Sequence, residues 1–264
     1  MKPKEVSKVK VEGELKARVK KAVDALGGFD KFIKPGDVVL LKPNFNSADP
    51  YPASSSPDFL RAVVDLVYEN GAKLAIIADS SMYALNTRKV MERLKIFDLQ
   101  KAEKPPRVYV FDEMKWVKKE VPGGKFLKSV STPEILENVD KLILLPCLKT
   151  HFKARFTGAL KLSVGFMRPF QRVGLHLRNL EEKIAELNKV IHPDLVIMDA
   201  RECFITGGPA NGEKRSPGII MASESRSAID IEGVKTIQEF KGNSLEGIDP
   251  LDITHIRMAK EFGM

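Results

Sequence analysis

From Ser56 to Asp79 the chain reads SPDFLRAVVDLVYENGAKLAIIAD, and this stretch decides the fold. Ser56-Pro57-Asp58 offers an N-cap residue, a proline at the first helical position and an acid in the first turn. Leu60, Val63, Val64 and Val67 then share one helical face, and Gly71 stops the helix. Lys73–Ala78 (KLAIIA) follows as an apolar run of strand length. Upstream, Pro35-Gly36 introduces a matching run, Asp37–Lys42 (DVVLLK). Strand, helix and strand in that order form a βαβ unit, and such units pair their strands in parallel.

The same alternation continues outward. Residues from about Ala84 to Leu94 read as helix, Val108–Phe111 as strand and Lys141–Leu145 (KLILL) as strand. Leu177, Leu180, Ile184, Leu187 and Ile191 mark an amphipathic helix. Leu195–Met198 and Gly218–Ala222 are further strands, and the stretch after Asp249-Pro250 reads as a closing helix. Thr132-Pro133-Glu134 reads as the cap of another helix. Between Asp112 and Val130, β-like pieces around Trp116 and Phe126 flank Pro122-Gly123-Gly124, which predicts a hairpin excursion. The expected fold is α/β, with a mainly parallel sheet, helices on both faces and a small β excursion near residues 112–130. One domain spanning residues 1–264 accommodates it most simply.

The chain has 264 residues, 43% hydrophobic and 30% charged, which is enough apolar content to exclude wholesale disorder. No apolar run reaches the roughly 18 residues of a membrane span. Met1–Lys10 alternates Lys with Val and lacks the apolar stretch of a leader. The two cysteines, Cys147 and Cys203, cannot build a disulfide framework, so a cytoplasmic location without a membrane partner is expected. Abundant Lys and Glu with few Gln and Cys is a thermophile-like composition.

Charge is concentrated in one place. The net charge is +8, and no acid occurs between Asp140 and Glu181. That segment holds Lys141, Lys149, Lys153, Arg155, Lys161, Arg168, Arg172 and Arg178; outside it bases and acids balance at 35 each. Such a segment is expected to face an anion.

In parallel sheets, ligands gather beyond the carboxyl ends of the strands. The residues just past the expected strands are Lys42-Pro43-Asn44, Asp79-Ser80-Ser81, Pro146 through His151, and Asp199-Ala200. Lys149 and His151 stand two residues apart, so an extended backbone aims both to one side. Lysine can hold a carboxylate or phosphate, and histidine can move a proton near neutral pH. Thr157-Gly158-Ala159-Leu160-Lys161 reads as a helix opening, with Thr157 as N-cap and Gly158 allowing close approach of an anion. Asp79 and Asp199 could ligate a cation, act as bases or neutralise Lys149. Gly207-Gly208-Pro209 with Gly212 could form a mobile loop or a plain turn. Cys147 and Cys203, with His151 or His176, match no metal-ligand spacing, so no metal is expected. Phe152, Phe156, Phe166 and Phe170 read as core, and His192 and His255 as structural.

These motifs resemble the uncharacterised family catalogued as domain of unknown function 362. The resemblance rests on Lys42-Pro43-Asn44, Ser56-Pro57, Gly71-Ala72, Asp79-Ser80, Pro146-x-Leu148-Lys149-Thr150-His151 and Thr157-Gly158-Ala159-Leu160-Lys161 with Gly165. His176, Asp199-Ala200, Gly208-Pro209 with Gly212, and Asp230 complete it, so that it runs from about residue 37 to 233. Leu162 stands where the family often has Asn, and Ser225-Arg226 where an Asp-Pro is usual. Many members carry ferredoxin-like cysteine clusters. Two cysteines cannot supply four thiolates, so no iron–sulfur cluster is expected from this chain alone.

The combined expectation is an enzyme acting on a small carboxylate or phosphate compound. His151, Lys149 and Asp79 are the expected catalytic residues. Lys42, Asn44, Ser80, Thr157, Gly158, Lys161, His176 and Asp199 are expected to bind the ligand. Two other classes compete: a redox or iron–sulfur accessory protein with a shared or lost cluster, and a nucleic-acid binder using residues 141–178. Nucleic acid is disfavoured, because the basic segment overlaps the strand-end site. A homodimer is left open.

Overall fold

The computed structural model describes residues 5–264; the first four residues of the stretch read above as leaderless lie outside the described residues. In chain order the regular elements begin with β1 (Val6–Lys10), α1 (Leu15–Asp24), β2 (Val38–Lys42), α2 (Pro57–Glu69), β3 (Leu74–Asp79), α3 (Thr87–Arg93) and β4 (Arg107–Val110). The hairpin strands β5 (Trp116–Glu120) and β6 (Ser129–Pro133) come next, followed by β7 (Lys141–Leu144), β8 (Cys147–His151) and β9 (Arg155–Thr157). The short helices α4 (Ala159–Leu162) and α5 (Pro169–Leu175) precede α6 (Leu180–Leu187). The chain closes with β10 (Leu195–Phe204), β11 (Lys214–Arg215), β12 (Ile219–Ser223), α7 (Arg226–Gln238) and α8 (Thr254–Glu261).

The main sheet runs β1-β12-β10-β7-β2-β3-β4. Its centre is parallel from β10 through β7, β2 and β3 to β4, as the βαβ reading requires. One edge departs from that reading, because β12 lies antiparallel to β10 and β1 antiparallel to β12. The physical reason is connection length. The chain returns from β10 to β12 within fifteen residues and without a helix, and a parallel return needs a crossover.

Alternation along each strand divides the core into two layers. Val39 and Leu41 of β2 join Ala75 and Ile77 under α1, α2 and α3, whereas Leu40, Ile76 and Ala78 face the layer of α4, α6, α7 and α8. Strands buried on both faces need near-continuous apolar sequence, and DVVLLK and KLAIIA supply it. Beyond β7 the chain passes through Leu145 and Pro146 and continues as β8, which pairs with the far end of β10 and with β9. This extension carries Lys149 and His151 past the edge of the parallel core.

Three local expectations are corrected. Ser56 occupies the N-cap position of α2, but its hydroxyl accepts from Arg201 Nη2 at 2.7 Å and takes no hydrogen bond from the helix. Thr132-Pro133-Glu134 caps no α-helix. Thr132 pairs with Val117 in the β5–β6 hairpin, and only a 3₁₀ turn, Glu134–Glu137, follows. The helix expected from Leu177 begins at Leu180, because Asn179 adopts a left-handed φ of 53° and leaves Leu177 76% exposed. The hairpin excursion itself is present. Its turn is anchored by the Glu186 carboxylate, which accepts from the backbone N–H groups of Lys125, Phe126 and Leu127 at 2.7–2.8 Å.

Candidate functional site

Where β2, β3 and β8 end, a cavity of about 340 Å³ opens on the α4–α5 side of the sheet. Lys42 ends β2 with Asn44 just beyond it, Asp79 ends β3 with Ser80 next, and Lys149 and His151 project from β8. Thr157 ends β9, Lys161 lies in α4, and α5 brings Arg172 and His176. Five bases (Lys42, Lys149, Lys153, Lys161 and Arg172) line this space against one carboxylate, Asp79.

Each cation is held differently. Lys42 Nζ lies 2.6 Å from Asp79 Oδ1, both side chains being almost wholly buried, and also donates to Pro43 O. Asp79 is further fixed by the N–H groups of Phe45 (2.7 Å) and Ser80 (2.6 Å). A Cβ on Gly165 would come within 2.6 Å of Lys42 Nζ, so glycine is what lets the neighbouring turn pass over this pair. Arg172 spends its guanidinium on the carbonyls of Met167, Ser80, Ser81 and Gly165. Lys149 Nζ donates to the carbonyls of Pro52 and Ala53. Lys161 differs: among the described residues its ammonium has no hydrogen bond and no ion pair. The Thr157 hydroxyl, buried in the wall of the same cavity, is unpartnered too.

Burial tells on the proton affinities. It pulls Lys149 down to about 8, and it pulls Lys161 to about 8 with the positive charges of Lys149 and Arg172 adding to the effect. Lys42 is lowered by burial despite Asp79, and Arg172 is lowered as well. His151 falls to about 2, first through burial and then through Lys161 and His176, so it is neutral at physiological pH.

The two histidines are set in opposite tautomers by their partners. His151 Nδ1 accepts the N–H groups of Lys153 and Ala154, both at 3.0 Å. A nitrogen receiving two donors carries no proton, which assigns the proton to Nε2. His176 Nδ1 lies 2.7 Å from the Arg172 carbonyl, which can only accept, so its proton sits on Nδ1 and Nε2 keeps a lone pair. One ring therefore offers a donor and the other an acceptor.

Nine of the eleven sequence-predicted residues meet at this cavity, and two do not. Asp199 is buried elsewhere: Tyr51 Oη donates to it at 2.8 Å and Arg201 Nη2 pairs with it at 2.8 Å. Gly158 faces Asp230, not a ligand. The Asp230 carboxylate accepts the N–H groups of Ala159 (2.6 Å) and Leu160 (3.0 Å), so the start of α4 already has its anion. Gly158, not Thr157, occupies the N-cap position. Because a Cβ at 158 would overlap the Asp230 carboxylate and the Phe156 ring, Gly158→Ala is expected to cost about 1–3 kcal/mol. A thermal melt reads this directly, and an unchanged midpoint would contradict the packing.

Cys147 lies against Ser55 Oγ, and burial raises the two thiols to about 11 and about 12, keeping Cys147 and Cys203 protonated at neutral pH. Among the described residues no group of three or more His, Cys, Asp or Glu side chains could hold a metal ion. Sequence reasoning missed Arg172, Asn46, Met82, Tyr83, Phe152 and Pro209 as cavity residues. Arg172 carried a signal, its place in the acid-free segment. Phe156 and Phe166 are core as expected, but Phe152 and Phe170 are exposed at 79% and 84%. Phe152 lies in the turn just after β8, and Phe170 sits in the first turn of α5 on the face away from the buried Arg172 and Leu175.

A family model described as a domain of unknown function (DUF362) matches residues 39–235. The chain belongs to the DUF362 family. A thylakoid-associated protein from Synechocystis sp. is 29% identical over 232 residues, covering 83% of this chain and 68% of its own. Among solved structures, the lactate racemase apoprotein from Thermoanaerobacterium thermosaccharolyticum resembles this family member with a TM-score of 0.50 and 12% identity, over 84% of this chain and 55% of that one. A crystal structure of a Thermotoga maritima protein gives 0.48 and 9%, over 95% and 60%. The chain thus spans little more than half the length of these two solved proteins, and at 12% identity the likeness to the racemase apoprotein concerns the α/β fold alone. No helix of the described residues is long and apolar enough to cross a membrane.

Proposed function

We propose that this DUF362 member is an enzyme acting on a small organic anion, a carboxylate or phosphate compound, bound in the cationic cavity. One observation carries the reading. The Lys161 ammonium has no protein partner in a cavity where four other bases face a single carboxylate. Gathering like charges in a partly desolvated space is costly, and an anionic ligand offsets that cost. The unpartnered Thr157 hydroxyl adds a hydrogen-bond donor at the same place.

In this reading Lys161, Lys149 and Thr157 hold the anionic group. Asp79 keeps Lys42 charged and in place. His151 presents Nε2–H to an oxygen that gains negative charge, as a neutral imidazole does in electrophilic catalysis. His176 Nε2 is the free lone pair and takes the role of proton acceptor, which the sequence alone had suggested for His151. The cations concentrated in residues 141–178 turn inward at Lys149, Lys161 and Arg172, and Lys141 and Arg155 are paired with Asp194 and Glu181. That placement favours a small ligand over a nucleic-acid backbone. The protonated, buried thiols likewise favour it over a redox role.

The test is isothermal titration of the purified protein with acetate and with inorganic phosphate. Saturable binding of one ligand per chain is expected, and its absence for both anions would overturn the reading. Binding and stability should respond oppositely to pH. Lys149 and Lys161 have folded values near 8 against an unfolded value near 10.5, so the unfolded chain binds more protons between those limits. Stability of the free protein should therefore rise from pH 8 to 10.5, while anion affinity falls as the ammonium groups are lost. Urea denaturation at pH 7.5 and 9.5 checks the first, and titration at the same two values checks the second. Parallel trends would contradict the assignment.

A further inference from the structure

Exposed large apolar side chains are unevenly placed. Among the described residues, seven of nine fall in two short stretches, 82–85 and 152–177, and three of them (Met82, Tyr83 and Phe152) line the mouth of the cationic cavity together with Pro209. Phe152 is the most exposed of the three, at 79%. It is not loose. Its ring stacks on His151 with centroids 5.0 Å apart and planes 13° from parallel, and its backbone N–H donates to Gly208 O at 3.3 Å. A solvent-exposed phenylalanine fixed on the rim of a cation-bearing well, beside Met82 and Tyr83, is an unfavourable surface in water unless something covers it. Leu162 and Val164, both buried, add apolar wall to the same cavity.

From this we propose that the ligand is an amphiphile. One anionic head sits at Lys161 and Thr157, and an unbranched or aromatic apolar body leaves the well across Leu162, Val164, Phe152, Tyr83 and Met82. The proposal rests on the anion-binding reading above and adds its substrate class. The occupant is chosen by continuity: the apolar rim and the cationic floor belong to one cavity, so a single molecule of matching polarity covers both. Free acetate or phosphate would satisfy the floor and leave the rim in water.

The experiment is titration with a homologous series of monomeric carboxylates, acetate, butyrate, hexanoate and octanoate, each below its micelle concentration. Affinity should rise about threefold to fourfold per methylene until the rim is covered. Phe152→Ser and Tyr83→Ser replace exposed side chains and should fold normally. Each should flatten the chain-length dependence, read as the ratio of octanoate to acetate affinity within the same variant. Octylammonium, with the same body and the opposite head, should not bind. Equal affinity along the series would overturn the amphiphile and leave the anion site standing, whereas failure of every carboxylate and of inorganic phosphate would remove both. A chain-length effect that survives both substitutions, or binding of octylammonium as tightly as octanoate, would also overturn the proposal. Sedimentation with oleate-containing vesicles in the absence of octanoate binding would assign the rim to a membrane surface and reject a free ligand.

Discussion

Asp79→Ala is expected to destabilise the protein by about 3–5 kcal/mol, the cost of leaving a buried charge without its partner. Asp79 is the one carboxylate lining the cavity, and it holds Lys42 Nζ at 2.6 Å while accepting two backbone N–H groups. Its loss strands Lys42, 1% exposed, with Arg172 as a neighbouring like charge. Asp79→Asn should cost less, since the amide oxygen can still accept from Phe45 N–H. The double variant Asp79→Asn with Lys42→Met should recover part of the loss, because it removes the stranded ammonium. Urea denaturation midpoints measure all three. A loss for Asp79→Ala within the range of exposed ion pairs, below about 1 kcal/mol, would show that the pair does not have the energetic role that its burial implies.

Lys161→Met should have the reverse profile, weakening anion binding by about 2–5 kcal/mol with no loss of stability. The ammonium has no partner in the free protein, and Lys149 and Arg172 repel it, so its removal relieves the fold. The methionine keeps the apolar stem in place. Lys149→Ala should differ, because Lys149 also ties down the carbonyls of Pro52 and Ala53; it should lower stability together with affinity. Lys20→Ala is the control: this exposed lysine pairs only with Asp24, four residues along its helix, and should change neither measurement appreciably. Titration calorimetry and thermal melts on the four proteins test the pattern. Small, equal affinity losses at Lys141, Lys153, Arg168 and Arg172, with the salt slope falling by about one per base, would mean that a polyanion is bound along the segment.

Much of this site was legible from local pattern. The strand-end rule placed Lys42, Asp79, Lys149 and His151 on one rim, because strand direction and period follow from apolar runs and their stops. Asp199 obeyed the same rule and still went elsewhere. Its strand, β10, extends to Phe204, past the expected end at Met198, so Asp199 lies within a paired strand where Tyr51 and Arg201 claim it. Tyr51 lies 148 residues away along the chain, and nothing in the local sequence announces that contact. Gly158 failed for a similar reason. A glycine before a helix says that something approaches closely, and only the fold says that the visitor is Asp230.

By itself, the sequence determined which segments become strands and helices in the parallel core and the concentration of charge in residues 141–178, both written in composition and periodicity, and membership of the family, which is written in its motifs. It also set Lys149 and His151 to one side of a strand, through the two-residue period of extended chain. Tertiary structure alone decided which cations would be neutralised. Arg172 met four carbonyls, Lys42 met Asp79, Lys149 met the loop at Pro52 and Ala53, and Lys161 met nothing. It decided the tautomers of His151 and His176 as well, because those depend on which backbone groups point at each ring. The reason is range. Secondary structure answers to neighbours within a turn or two of chain, whereas the charge state and free valence of a buried side chain answer to whatever packs against it from any distance along the sequence.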